Sequence, residues 1–136
     1  MATLYETDFL RWIDRQAAAL RDRRWDDLDV EHLAEEVEAL GKSERRELRN
    51  RLEVIARHLV KLSAQKERAG WRATIREHQR ALALLLEDNP SLRREVPAVL
   101  EAVYADARED AADEMGVPVR MLPDSNPFTP EEVLGS

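Results

Sequence analysis

Apolar residues along the chain recur at intervals of three and four, the spacing of one face of an α-helix. The first such stripe predicts a helix over about residues 8–23, with Thr7 or Asp8 suited to its N-cap. The next stripe predicts a helix over residues 30–40, which Gly41 is expected to end. No stripe alternates in twos, so the pattern indicates no β-strand.

A third apolar stripe predicts a helix over residues 43–66, ended by a polar segment at 66–70. This stripe stays in phase with the preceding one across Gly41. A single long, kinked helix is therefore an open alternative to two helices joined at that glycine.

Proline and glycine divide the rest of the chain. Asn89-Pro90-Ser91 is typical of a cap followed by proline in the first turn, and Thr129-Pro130-Glu131-Glu132 is typical of a capping box. Pro97 either kinks the helix that carries it or marks the true start of that helix. These signals predict helices over residues 71–88, 90–115 and 130–134.

Together these stretches predict an all-α fold, a compact bundle of about five helices in a single domain over residues 1–136. A short C-terminal helix and a proline-rich tail complete it, because four of the six prolines follow Gly116. The core is expected to contain the following stripe residues: Trp12, Ile13, Leu33, Val37, Leu48, Ile55, Leu59, Ile75, Leu82, Leu100 and Val103.

Charge is sorted along the chain, which carries a net charge of −7. Residues 1–41 sum to −6, residues 42–80 to +7 and residues 81–136 to −8. A basic middle between acidic flanks is expected either when helices neutralise one another or when a basic face binds an anionic partner. The pattern leaves both open.

Composition excludes several kinds of site and of location. With no cysteine, the chain has no disulfide, no thiolate metal site and no cysteine nucleophile. Its start lacks the basic and apolar regions of a secretory signal, and no apolar run reaches the roughly 18 residues of a membrane span. We therefore expect a soluble cytoplasmic protein without a membrane partner.

Four segments together carry a resemblance to a known family: Tyr5-Glu6-Thr7-Asp8-Phe9, Glu35-Glu36-Val37-Glu38-Ala39-Leu40-Gly41-Lys42-Ser43-Glu44-Arg45-Arg46, Trp71-Arg72-Ala73-Thr74-Ile75-Arg76 and Asn89-Pro90-Ser91-Leu92. In order and spacing the chain resembles the bacterial family catalogued as domain of unknown function 29, over nearly its whole length. The resemblance implies an all-helical fold. It transfers no catalytic residue, and Pro97 departs from a segment expected to be helical in the family.

The histidines are the candidates for metal chemistry. His58 and His78 fall on apolar stripes, and Glu36 also falls on a stripe, so a Glu/His site in a bundle core is conceivable. Neither histidine has the glutamate three residues before it that helical di-metal sites use, so hydrogen-bonded histidines and no metal are expected. Gly41-Lys42-Ser43 lacks the first glycine of a phosphate loop, where Glu36 stands, so no nucleotide cofactor is expected either.

Arginines recur at intervals of four on two of the predicted helices. Arg72, Arg76 and Arg80 form one row and are the candidates for anion binding, whereas Arg45 and Arg49 lie on the preceding helix. The net negative charge and the lack of an accompanying aromatic series disfavour nucleic acid as a partner. Ion pairs with the acidic flanks are the favoured interpretation of these rows.

Function is left among three classes. The favoured hypothesis is a non-enzymatic module that binds another protein or a second copy of itself, because no catalytic motif is present. A binder of nucleic acid or another anionic ligand, using the arginines of residues 45–80, is the first alternative. The second is a metal-dependent hydrolase that uses the core-facing histidine and glutamate residues.

Overall fold

The structure, a computed structural model, describes residues 1–65 and 70–136. Every regular element in these two stretches is helical, which confirms the predicted all-α fold. Short 3-10 turns lie at Trp25–Asp27, Pro90–Glu95 and Val119–Met121. The α-helices are α1 (Leu4–Thr7), α2 (Phe9–Arg21), α3 (Val30–Ala64), α4 (Trp71–Asp88), α5 (Val96–Met115) and α6 (Pro130–Leu134). Within the described stretches, no helix combines the length and apolar character that crossing a bilayer requires.

The helix predicted over residues 8–23 is α2, and Asp8 is its cap, since the Asp8 side chain accepts a hydrogen bond from the backbone N–H of Arg11. Before it, the single turn α1 was missed. Thr3 caps α1 by accepting a bond from the backbone N–H of Glu6. A four-residue turn has no room for an apolar stripe, so periodicity does not reveal it.

The structure has one continuous helix, α3, where two helices were predicted over residues 30–40 and 43–66. The alternative of a single long helix is therefore the one observed. It continues through Gly41, so this glycine does not end a helix and no second helix begins after it. A glycine inside a helix costs only about 1 kcal/mol, and the apolar stripe is in phase on both sides of it. The predicted polar segment at 66–70 lies outside the described residues except for Gly70, which directly precedes α4.

The helix predicted over residues 90–115 begins later than expected. Pro90–Glu95 form a 3-10 turn, and α5 starts at Val96 with Pro97 in its first turn. Pro97 therefore marks the true start, where its missing N–H would have no intrahelical partner in any case. Asn89 occupies the predicted cap position, here of the 3-10 turn, with Pro90 after it, but its side chain makes no capping bond and its amide donates to the carbonyl of Leu85 and to Glu44 instead.

Two compact units divide the chain, an N-terminal unit of Met1–Ser43 and a C-terminal unit of Glu44–Ser136. Residues 30–43 of α3 belong to the first unit and residues 44–64 to the second. The single domain over residues 1–136 stays a prediction.

The C-terminal unit has an extensive core. Leu48, Leu52 and Ile55 of α3 are buried in one cluster with residues of α4, α5 and α6. The predicted core residues Ile75, Leu82, Leu100 and Val103 all belong to this cluster, and Leu59 packs against it half-buried. A second, smaller cluster surrounds Val60, Tyr104 and Leu122.

The N-terminal unit buries far less. Trp12 and Ala19 are its buried apolar residues, and Gln16 is its buried polar one. The predicted core positions Ile13 and Val37 are wrong, because both side chains are exposed, and Leu33 is only half-buried. Periodicity identifies the apolar face of a helix but does not reveal whether another element covers that face.

Candidate functional site

An apolar groove lies in the N-terminal unit between α2 and the first turns of α3, with a volume of about 490 Å³. We call it the N-terminal apolar groove. The acidic side chain of Glu38 stands at its border. Its apolar lining consists of Leu20, Leu28, Val30, Leu33, Ala34 and Val37.

Helical spacing explains why these side chains share one surface. On α3, Val30, Leu33 and Val37 are separated by three and four residues and therefore lie on one face. Leu20 belongs to the corresponding stripe of α2, which continues back through Ala17. The side chains of Val30 and Val37 are 67% and 65% exposed, so large apolar groups here face solvent.

One edge of the groove is acidic. Glu31, Glu35 and Glu38 are exposed and repeat at intervals of four and three along α3, beside the apolar face. Within the described part of the chain none of the three forms an ion pair. We call these three residues the acidic edge. It was missed as a functional feature, although the repeat of glutamates next to an apolar stripe is visible in the sequence.

A cluster of aromatic and polar side chains holds α1 and α2 against α3 inside the N-terminal unit. The hydroxyl of Tyr5 donates a short hydrogen bond to Glu36, and the indole N–H of Trp12 donates to Asp29 across 3.1 Å. The ring of Tyr5 stacks on that of His32, with 3.9 Å between centroids. These contacts fix the two walls of the groove relative to each other.

The same cluster shifts the ionisation of its members. The hydrogen bond to Glu36 raises the pKa of Tyr5 to about 12. Asp29 lies 2.6 Å from Nδ1 of His32, and this contact raises the pKa of the imidazole and lowers that of the carboxyl. The Tyr5 hydroxyl therefore stays protonated and is not a free nucleophile. Asp29 and His32 form the charged pair of the cluster.

A larger groove of about 690 Å³ lies on another side of the N-terminal unit. Arg11, Arg15 and Arg24 line it together with Asp14 and Asp27. Arg24 bonds to Asp27 across 2.8 Å. Acidic and basic side chains are therefore mixed along this groove.

The C-terminal unit contains a network of charged side chains between α3 and α5. Arg57 bonds to Glu114 across 3.0 Å and lies 3.7 Å from Glu53, and the buried Lys61 also pairs with Glu114. Burial, with a contribution from the nearby Asp110, raises the pKa of Glu53 to about 7, although the charge of Arg57 acts in the opposite direction. Within the described residues, Oε1 of Glu53 and Nε of Arg57 are buried without a hydrogen-bond partner in this network.

The three candidate metal ligands are divided between the two units, and the absence of a metal site built from them stays a prediction. Glu36 belongs to the N-terminal unit, where it accepts the bond from Tyr5. In the C-terminal unit, Nδ1 of His58 lies 2.8 Å from the carbonyl oxygen of Val54, and Nδ1 of His78 lies 3.1 Å from Arg51. Burial lowers the pKa of both histidines. Among the residues described, no three histidine or carboxylate side chains are placed to hold a metal ion.

Arg45 and Arg49 of α3 form ion pairs, as the favoured interpretation of these rows predicted. Arg45 pairs with Glu95 and Arg49 with Asp106, at 3.1 and 3.9 Å. The acidic partners come from the second acidic segment of the chain. None of these pairs uses the acidic edge.

The row on α4 differs from the rows on α3. Arg72, Arg76 and Arg80 are all exposed, and Arg72 has an interaction of its own. Arg76 and Arg80 have no acidic partner in the stretches that the structure covers. Anion binding by this row stays a prediction.

Comparison with known proteins identifies a family and nothing closer. No curated protein and no solved structure matches the chain significantly. A family model described as "Domain of unknown function DUF29" matches residues 4–136, which include the N-terminal apolar groove and both acidic flanks. The chain belongs to this family.

Proposed function

We propose that this protein is a non-enzymatic protein-interaction module whose N-terminal apolar groove is the binding surface. One observation carries the proposal. Of the twelve large apolar side chains exposed in the described residues, nine lie in the 43-residue N-terminal unit, although the C-terminal unit is more than twice as long.

Covering these exposed apolar side chains with a partner would lower the free energy, because apolar area would be removed from water. Covering a half-exposed Val or Leu side chain contributes about 1 kcal/mol or somewhat more, at roughly 25 cal/mol per Å² of apolar area. Val30, Leu33, Val37 and Leu20 together would then offset a large part of the ~4 kcal/mol or more that association costs. A contiguous apolar surface with a polar border is typical of a protein contact.

The small size of the N-terminal unit supports the same conclusion. Units of about 40 residues rarely bury enough apolar area to be stable alone and usually need oligomerisation, disulfides or metals. This chain has no cysteine. Contact with a partner would let α2 and the first turns of α3 bury their stripes.

Site-specific photo-crosslinking tests the proposal. A photoreactive residue replaces Val37 in one variant and Leu84 in another, which are 65% and 64% exposed and so equally accessible. Irradiation of the cells that produce the protein should give defined protein adducts at position 37 and none at position 84. Adding Leu33→Asp to the position-37 variant should abolish them. Equal adduct yields at both positions, or none at position 37, would contradict the proposal.

The arginine row of α4 supports a second candidate, the binding of nucleic acid or another anionic ligand. Exposed Arg76 and Arg80 without an acidic partner in the described chain favour it, whereas the net charge of −7 opposes it. Binding of single-stranded RNA by the unmodified chain, lost in Arg76→Gln/Arg80→Gln and weakened by salt, is the result this candidate requires. Unchanged binding in that double variant would exclude the row as the site.

A further inference from the structure

We infer that the N-terminal apolar groove receives an amphipathic helix from another protein, and that basic side chains border the apolar stripe of that helix. This inference rests on the proposed function and adds the chemistry of the partner. It depends on the shape of the groove and on the charges of its edge. It depends also on whether other helices of the chain have exposed apolar and unpaired basic side chains that could bind the groove of a second copy.

The shape of the groove fits a helix. One face of α3 lines it together with Leu20 of α2 and Leu28 of the connection, so a helix lying along α3 would bury this apolar face, as in helix-in-groove recognition. The exposed stripe of α3 continues from Val30 to Leu40, which at 1.5 Å per residue spans about 15 Å. A partner helix of about three turns, with apolar residues at intervals of three and four, matches that length.

The acidic edge determines the charge of the partner. Glu38 lines the groove, and helical spacing places Glu31 and Glu35 on the same side of α3 beside it, with no ion pair to any of the three carboxylates in the described residues. Residues 1–43 hold 11 acidic and 6 basic residues, which gives this unit a net charge of −5. Lysine or arginine beside the apolar stripe of the partner would meet these carboxylates, and such complementarity selects the partner and speeds association.

A second copy of the N-terminal unit does not fit this requirement. Pairing the same surface of two copies would bring two units of net charge −5 together, and like charges in contact disfavour binding. Residues 30–41 of α3 contain no lysine or arginine that could meet the acidic edge of a second copy.

The basic helices of a second copy do not supply the partner either. On α3 and α4 the apolar stripe is already used, since Leu52, Ile55, Ile75 and Leu82 are buried in the C-terminal core. Arg45, Arg49 and Arg57 of the same stretch are paired with acidic residues. Within the described residues, α3 and α4 therefore do not present a basic border beside a free apolar stripe, and we take the partner to be a different protein.

Two synthetic peptides of about 18 residues provide the probes, each with leucine at intervals of three and four and a fluorophore at one end. One carries lysine beside the stripe and the other carries glutamate at the same positions. Fluorescence anisotropy with the full chain measures their binding at about 50 mM and about 300 mM NaCl. We expect the lysine peptide to bind at least about tenfold more tightly than the glutamate peptide, with the difference shrinking at high salt.

Three variants locate the binding. Val37→Asp should abolish binding of the lysine peptide, because it places a charge on the apolar face. The triple change Glu31→Gln/Glu35→Gln/Glu38→Gln should weaken binding about fivefold and remove most of its salt dependence. The control is Glu77→Gln/Glu87→Gln/Glu109→Gln, which makes the same change in net charge at exposed positions of the C-terminal unit and should leave binding unchanged.

Several outcomes would overturn the inference. Equal binding of both peptides, absence of any binding, or binding unaffected by Val37→Asp would each show that a basic helix does not occupy the groove. A dimer that light scattering detects and that Val37→Asp dissociates would make a second copy the occupant. In each of these cases, adducts at position 37 in the crosslinking experiment would still support the protein-interaction module, so the two proposals fail separately.

Discussion

In the C-terminal unit, Leu52, Leu82 and Leu100 come from three different helices and are buried in one cluster. In the N-terminal unit, by contrast, the apolar side chains of Val30 and Val37 on α3 are exposed. Both units contain amphipathic helices. The difference is the number of helices that share a core, since three long helices cover one another and two do not. Apolar periodicity alone therefore does not distinguish a core position from a binding position.

The largest expected effect comes from testing this difference by truncation. Leu52→Ala should lower the free energy of unfolding by about 2 to 5 kcal/mol, because its side chain is fully buried among α3, α4 and α5. Val37→Ala, on the exposed stripe of the same helix, should change it by less than about 0.5 kcal/mol. Urea unfolding followed by circular dichroism measures both. Similar losses in the two variants would mean that the stripe of the N-terminal unit is also covered.

Buried charge provides a second contrast, because it is concentrated in the C-terminal unit. Burial raises the pKa of Glu53 from 4.5 to about 7, so the ionised carboxylate is less stable in the folded chain than in the unfolded chain. The resulting cost is absent below about pH 4.5, grows as the pH rises to about 7 and is constant above that. Glu53→Gln should therefore stabilise the protein by about 1 to 2 kcal/mol near pH 8, discounted for partial access to solvent, and by almost nothing near pH 4.

The matched control for this prediction is Glu109→Gln, at an exposed position of the same unit. It should change the free energy of unfolding little at either pH. Equal stabilisation by Glu53→Gln at both pH values would show that the carboxylate is not held in a destabilising environment.

The histidines give a smaller, spectroscopic contrast between the units. Contact with Asp29 raises the pKa of His32 above 6.5, whereas burial lowers those of His58 and His78 below it. The His32 pair therefore stabilises the N-terminal unit below about pH 6.5, and this contribution is lost as the pH rises through the raised pKa. NMR titration of the imidazole signals should show His32 titrating above the other two.

Asp29→Asn serves as the control for the His32 titration. The asparagine retains a capping oxygen for α3 but removes the charge, so the pKa of His32 should fall toward 6.5. A His32 signal that titrates with His58 and His78 in the unmodified chain would contradict the contact with Asp29.

The sequence predicts the elements of this fold better than it predicts its surfaces. Stripes and caps locate α2, α4 and α6 within a few residues, and Pro97 marks a helix start that the structure confirms. The prediction that a helix ends at Gly41 was wrong. A glycine ends a helix only when the backbone turns there, and the apolar stripe in phase on both sides favours continuation.

The contacts and the exposed side chains of the candidate site could not be predicted from the sequence, because they depend on residues that are distant along the chain. The contact of Tyr5 with Glu36 joins residues 31 positions apart, and no local pattern predicts such a pairing. The exposure of Ile13 and Val37 depends on which helices cover them, which periodicity does not encode. Only the acidic edge could have been found, from the repeat of Glu31, Glu35 and Glu38 beside an apolar stripe.

Hydrogen exchange of the full chain, alone and with saturating lysine peptide, tests the central claim that a partner completes the N-terminal unit. In the free chain we expect amides of α2 and of residues 31–41 to exchange faster than core amides of α5 by about two orders of magnitude or more, because few buried contacts oppose local opening. The peptide should then protect α2 and residues 31–41 selectively. Equal protection of both units in the free chain, or no gain in protection with the peptide, would contradict the claim.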